Sequence, residues 1–394
     1  MTRLWDKGAP LDQRVLEYTA GEDHALDERL VAYDVRASIA HAQMLHARGL
    51  LDAADLAALC AALEDLAASH ARGEWRIALE DEDGQTALER RLAARLGAAG
   101  GRIHLGRSRN DQVLAALRLY LRDALEALAA GTLAAADALT ALGAREADTP
   151  LPGYTHMQQA MPSSVALWAG GFAAELRDDA EGLRAARRRI DRNPLGSAAG
   201  YGTPGLPVDR ADTAARLGFA TVHAPVTAVQ LSRGKGEAQL LLEICLLMQD
   251  LGRLAADVLL YATQEFGFVT LAEAFTTGSS IMPQKRNPDV YELIRARSAS
   301  AQACLLEALA VCAKLPSGYQ RDLQLLKFPL FRGIDLASAT LAIVPPAVAS
   351  LEFRREAIRL DPAIHAAEEA NRLVVSEGIP FRTAYQRVAA KLRR

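Results

Sequence analysis

Leucine and alanine recurring every three or four residues over unusually long stretches constrain this chain more than any other feature. Between Asp111 and about Gly143, Leu114, Leu117, Leu121, Leu125 and Leu128 share one helical face, interrupted by a single Gly131. About thirty residues at 1.5 Å each make a rod of about 50 Å, well beyond an ordinary globular helix. Three more stretches read the same way: Ser163 to Ile190 behind Pro162, Lys235 to Thr263, and Asp289 to Lys314 behind Pro288. A proline just ahead of a helix fits the fixed φ of a first turn. Aromatic residues make up only 5% of the chain, so little sheet is expected. The expected class is all-α, a long central helical bundle at 107–357 flanked by smaller helical domains at 1–106 and 358–394.

The stretch from Lys235 carries Glu243, Asp250 and Asp257 seven apart on one narrow stripe, and the rest of its circumference is apolar. Such a helix needs partners on nearly every side, which points to bundles packing together in a homo-oligomer. In the N-terminal region Asp27 to Arg48 and Asp52 to His70 read as shorter helices, with Asp52 as an N-cap. The uncharged run Leu336 to Leu351 is short for a membrane span and holds Pro345-Pro346, so a kinked or broken core helix is expected there. The start, Met1 to Asp6, lacks the apolar core of a secretion signal, and a soluble cytoplasmic protein is expected.

A net charge of −3 gives no global attraction for nucleic acid or an anionic membrane, so affinity for anions must come from local clusters. Cys60, Cys245, Cys304 and Cys312 show no metal-ligand spacing and read as buried thiols in a reducing compartment. The run Asn193 to Gly205 contains G-x-G-x-x-G by count, yet no strand is expected before it and no helix opens from it, so a dinucleotide site is rejected.

Four polar clusters stand at the ends of the long helices. His104-Leu105-Gly106-Arg107-Ser108-Arg109-Asn110-Asp111 precedes the first, where unsatisfied helix N–H groups favour anions. Gly153-Tyr154-Thr155-His156-Met157-Gln158 sets a histidine, suited to proton transfer near neutrality, beside a hydroxyl and an amide. Gly278-Ser279-Ser280-Ile281-Met282-Pro283-Gln284-Lys285-Arg286-Asn287-Pro288-Asp289 packs hydroxyls, an ammonium and an amide into one loop, which is equipment for chemistry beside an anion. Tyr319-Gln320-Arg321-Asp322-Leu323-Gln324-Leu325-Leu326-Lys327 mixes donors suited to carboxylates. Taken singly each has a bland reading as a cap, a turn or a solvated loop.

The combination is more specific. GSSIMPQKRN resembles the signature loop of the fumarase/aspartase superfamily, and with GRSRND, GYTHMQ and YQRDLQLLK it is similar to the argininosuccinate lyase family over nearly the whole chain. Fumarases carry Gly before the signature lysine, and adenylosuccinate lyases differ around the second and fourth clusters. The resemblance implies a fumarase/aspartase-like fold, no metal or organic cofactor, and anti elimination of argininosuccinate to arginine and fumarate in arginine biosynthesis. It implies Ser279 as the base, Lys285 and Asn287 stabilising developing charge, and His156, held by Glu292, handling the proton of the leaving nitrogen. Arg107, Ser108, Arg109, Asn110, Thr155, Gln158, Arg233, Tyr319, Gln324, Lys327 and Asp83 are implied substrate contacts. It also implies a homotetramer whose active sites each draw on three subunits, and a lid from about Thr270 to Arg286.

The chain departs from the family's pattern at four places and stops early at a fifth. Leu105 stands for a usual Thr, Gln85 for a histidine near substrate, and Gly21 for a substrate-contacting Ser. Arg233 lies in Ser-Arg-Gly-Lys rather than the commoner Ser-Asp-Arg-Asp. Many relatives continue through further C-terminal helices beyond the point matching Arg394. Two other readings stay open: a fumarate-releasing lyase with a different amine leaving group, which a substrate panel would reveal, and a structural tetramer without turnover, which failure to release fumarate would favour.

Overall fold

Capping side chains start the helices where periodicity predicts them. The computed structural model describes residues 12–393, so the reading of Met1 to Asp6 lies outside the described residues. A 3-10 turn at Asp27–Leu30 leads into α1 (Val31–Ala47), followed by α2 (Ala53–Ala71) and α3 (Gly84–Leu96). Asp52 caps α2, its carboxylate accepting from Asp55 N at 2.8 Å and satisfying one of the free donors of a helix start. These helices share a core that includes Leu45, Leu59, Leu63, Leu92 and Ile103.

The long helices are α4 (Arg109–Arg145), α5 (Val165–Ile190), α6 (Lys235–Tyr261) and α7 (Asp289–Cys312), each end within two residues of the expected one. A fifth, α8 (Lys327–Ala349), contains Pro345 and Pro346 and runs through them without a break. Each proline removes one N–H bond to the carbonyl four residues earlier, but only three residues of helix follow Pro346, so little helix is left to be redirected. Two short helices, α9 (Ala366–Glu377) and α10 (Phe381–Leu392), pack through Ala370, Ala384 and Val388. Sheet is confined to two-stranded pairs, among them the hairpins β1 (Pro150–Thr155) with β2 (Gln158–Ser164) and β3 (Thr277–Gly278) with β4 (Arg286–Asn287). A two-residue strand, Arg192–Asn193, does precede the Gly/Pro-rich loop, contrary to expectation. Helix resumes only at Arg210, capped by Asp209, so the loop's glycines do not open a helix onto a phosphate.

The chain forms two compact units. One comprises residues 1–127, 183–242 and 303–334, the other 128–182, 243–302 and 335–394, and each long helix contributes a part to both. Glycines let the helices approach within each unit. A Cβ at Gly333 on α8 would lie 2.4 Å from Leu241 Cδ2 of α6 in the first unit, and one at Gly131 on α4 would lie 3.2 Å from Leu341 Cβ of α8 in the second.

On α6 the acidic stripe is not the most exposed one. Glu243, Asp250 and Asp257 are half-buried, and Asp257 accepts from Trp168 Nε1 at 2.9 Å. The exposed stripe runs instead through Leu242, Leu246, Gln249, Arg253 and Ala256. Leu167, Leu293, Leu306 and Leu309 are likewise exposed on α5 and α7. Two helical segments, Arg109–Arg145 and Arg321–Ala349, are long and apolar enough to cross a bilayer, but 44% and 50% of their most apolar windows lie buried inside the fold. Of the four free cysteines, Cys245 and Cys304 are buried and Cys60 and Cys312 only half-buried.

Asp179 on α5 sits in the second unit, its Oδ2 buried without a hydrogen-bond partner and with Asp250 and Glu243 near it. Burial first, then these carboxylates together with Asp178 and Glu175, push it up to about 7. A raised carboxylate favours folding below its unfolded value, and that contribution is lost as pH rises through the folded value. Asp179→Asn is therefore expected to gain stability over the parent progressively from about pH 4 to 7 and to level off above. At pH 8 the gain in Tm should be about 2–4 °C for a fold of this size, allowing for partial solvent screening. A pH-independent difference in calorimetric scans would contradict this.

Candidate active site

In the first unit a cavity of about 170 Å³ is lined by Asp83, Arg109, Asn110, Arg233, Tyr319, Gln324 and Lys327. Seven of the expected residues thus meet there, and Asp23, Gln85, Val113 and Arg321 line it with them. Local chemistry explains the placement. Asp83 is the N-cap of α3, accepting from Thr86 N at 2.8 Å, and its other oxygen receives Arg109 Nη1 at 3.1 Å. Arg109 opens α4, whose start is fixed by Asp111 accepting from Ser108 N at 3.0 Å. The same buried carboxylate accepts from Gly196 N and Ala198 N at 3.0 and 2.8 Å, tying the Gly/Pro-rich loop to the helix.

Arg233 is 6% exposed, and its Nε and Nη1 have no hydrogen-bond partner, although Glu237 Oε1 lies 3.5 Å from Nε and balances its charge. A buried guanidinium with unspent donors beside a cavity is arranged to receive an oxyanion. Lys327 is 2% exposed and holds two carboxylates, Asp23 at 3.0 Å and Asp27 at 2.5 Å. Burial lowers the affinity of this ammonium for its proton, but Asp27 and Asp23 outweigh that and push it up to about 12.

Several polar side chains of this region are hydrogen-bonded within the protein. Gln324 Nε2 donates to the carbonyls of Thr19 and Ala20 at 3.0 and 3.2 Å, and Arg321 Nη2 to Thr19 at 2.8 Å. Arg107 is buried and donates to Ser38 Oγ at 2.8 Å, while Ser108 Oγ accepts from Asn110 N at 3.3 Å as a cap. Neither lines this cavity.

The other seven expected residues, Ser279, Lys285, Asn287, Glu292, His156, Thr155 and Gln158, lie in the second unit. Ser279 and Lys285 stand on the loop between β3 and β4, which the Thr277 hydroxyl helps anchor by donating to Asp289. Ser279 Oγ accepts from Ile281 N and Met282 N at 3.3 and 3.1 Å. Two converging N–H groups are what an ionised seryl oxygen requires. Asn287 Nδ2 donates to Thr277 Oγ1 and Gly278 O, both at 3.5 Å, across the same hairpin. His156 and Met157 form the tip of the β1–β2 hairpin with φ of +52° and +61°. Such a tight turn favours Asn or Gly, so a histidine there is held against its backbone preference. Thr155, His156 and Gln158 are exposed, as are Lys285 and Glu292. Among the described residues His156 and Glu292 are not hydrogen-bonded to each other, nor Ser279 to Lys285.

The chain matches the Lyase family over residues 11–303. It is 51% identical over 392 residues to an argininosuccinate lyase of Sorangium cellulosum (strain So ce56), covering 99% of this chain and 90% of that one. An argininosuccinate lyase of Stenotrophomonas maltophilia (strain R551-3) is 43% identical, with 98% and 90% covered. The chain belongs to the argininosuccinate lyase family. It is a carbon–nitrogen lyase of the fumarase/aspartase superfamily. Among solved structures, a variant of EDDS lyase with bound fumarate superposes with a TM-score of 0.81 at 25% identity, covering 99% of this lyase and 76% of that chain. A class II fumarase from Schistosoma mansoni, at 16% identity, shares the fold with a TM-score of 0.79 over 98% and 91%.

The motifs do not mark Asp23, Arg321 or Val113 as contacts of this lyase, and the sequence marks Gln85 only as standing for a histidine. Asp23 carried a usable signal, since a carboxylate two residues after an unusual glycine and four before Asp27 lies on the same helical side as Asp27. Removing Lys327 tests how far the ion cluster is structural. Lys327→Ala leaves Asp23 and Asp27 buried without a counter-ion and should cost about 3–5 kcal/mol in denaturant unfolding. A loss below about 1 kcal/mol would show that the lysine is not needed to hold the N-terminal segment.

Proposed function

We propose that this lyase cleaves argininosuccinate to arginine and fumarate by anti elimination, as a step of arginine biosynthesis. The observation that carries the mechanism is the pair of N–H groups aimed at Ser279 Oγ. They favour the alkoxide over the alcohol, and Lys285, six residues along the same loop, adds positive charge when the loop closes on substrate. Ser279 Oγ removes a proton from the succinyl carbon beside a carboxylate. The negative charge that builds on that carboxylate is taken up by Lys285 and Asn287, and the C–N bond then breaks with its electron pair leaving on the guanidino nitrogen. His156, steadied by Glu292, manages the proton that this nitrogen requires.

The reading includes a homotetramer in which each active site draws on three copies. The exposure of His156, Lys285 and Glu292 in one chain, and of the leucines on α5, α6 and α7, supports it. Ser279→Ala is expected to lose about a hundred- to ten-thousand-fold in turnover, read from fumarate absorbance, with its oligomeric state unchanged. Turnover within a few-fold of the parent would remove the serine from its role. The likeness to EDDS lyase favours, as a second reading, a fumarate-releasing lyase acting on another amine. Assaying argininosuccinate, adenylosuccinate, aspartate and malate side by side decides between them, with activity expected on the first alone.

A further inference from the structure

Among the described residues the cavity's charges balance except at one place. Arg109 faces Asp83 at 3.1 Å, Arg321 faces Glu82 at 3.5 Å, and Arg233 faces Glu237 at 3.5 Å. Arg109 also lies 3.9 Å from Glu82, so these three cations and three carboxylates match, whereas Lys327 faces two carboxylates of its own, Asp23 and Asp27, and this cluster carries one surplus negative charge. Asp27 is 0% exposed with both oxygens engaged, one by Lys327 and the other by Gly84 N at 3.0 Å. Asp23 gives one oxygen to Lys327 and lines the cavity. The surplus charge therefore faces the ligand space at Asp23.

The backbone explains why the side chain comes from this position. Gly21, where the commoner family pattern has a contacting serine, ends the helix Gln13–Ala20 with φ +51° and ψ −131°, a conformation that L side chains rarely adopt. A serine there would be strained, and the chain instead delivers a carboxylate two residues later.

We propose that Asp23 receives the α-ammonium group at the arginine end of the substrate and makes the site selective for an amino acid over the same guanidino acid lacking its amino group. The proposal rests on the function assigned above and adds a specificity residue to it. Burial first, then Asp27 and Asp83, push Asp23 up to about 7 against the pull of Lys327, and an ammonium bound beside it would relieve that strain. A charge-assisted bond of this kind is worth about tenfold to a hundredfold in affinity.

The test compares arginine with 5-guanidinopentanoate, identical but for the α-amino group, as inhibitors of fumarate release and as ligands in calorimetry. The parent enzyme is expected to bind arginine about 10- to 100-fold more tightly, and Asp23→Asn to bring the two within about threefold by weakening arginine alone. Asp23→Ser is a second variant with the same expectation. Equal binding of both compounds by the parent enzyme overturns the proposal without any variant. An unchanged ratio in a folded variant also overturns it, because a purely structural aspartate would weaken both ligands alike. Absence of fumarate release from argininosuccinate by the parent enzyme would instead defeat the assigned function.

Discussion

An ammonium group almost entirely out of water has to be paired, and the pairing of Lys327 with Asp23 and Asp27 joins the N-terminal segment to the start of α8. Around that cluster the same turn uses Arg321 and Gln324 to hold the carbonyls of Thr19 and Ala20, capturing the exposed end of a short helix. The cavity exists because these donors fix its wall. Their charges are spent in doing so, which leaves Arg233, with two donors unpartnered, as the wall's least committed cation. The sequence presents these paired groups and Arg233 as polar residues of one kind, and only their partners in the fold tell them apart.

The long helices were legible because a 3.6-residue repeat sustained over 24 to 37 residues has no competing explanation. What periodicity could not supply was the identity of the covered face. On α6 the acidic stripe and the leucine stripe through Leu242 and Leu246 are neighbours, and an isolated chain buries the carboxylates more than those leucines. A preference set by transfer free energy alone would be the reverse, so the leucine stripe has the character of a surface awaiting apolar cover. The prolines of α8 leave the helix unbroken for a different reason: they stand near its end, so little helix follows them, and composition does not reveal where a helix ends.

At the candidate site the motifs located the residues but not their partners. Arg107 and Ser108 read as anion ligands because they precede a helix N-terminus; in the fold Arg107 also donates to Ser38 Oγ, and Ser108 Oγ accepts from Asn110 N at the start of α4. Long-range pairs such as Lys327 with Asp23, about 300 residues apart, leave no local signature in one sequence. The seryl oxygen is different, because its two N–H donors come from the next residues of its own loop and are implied by the turn itself.

The departures from the family's common pattern then make sense together. Gln85 replaces an ionisable ring by an amide, 4% exposed, near the carboxyl of Asp34, which burial has pushed up to about 7. Asp23 lines the same cavity as Gln85, and burial, with Asp27 and Asp83 near it, pushes its carboxyl up to about 7 against the pull of Lys327. A cationic imidazolium at position 85 would compete for the charge at Asp23 and weaken its hold on an ammonium group. A neutral amide does not, so Gln85 and an ionised Asp23 are compatible in one wall. On the proposal made for Asp23, selectivity resides in this wall, and the proposed chemistry in the loop carrying Ser279 and Lys285.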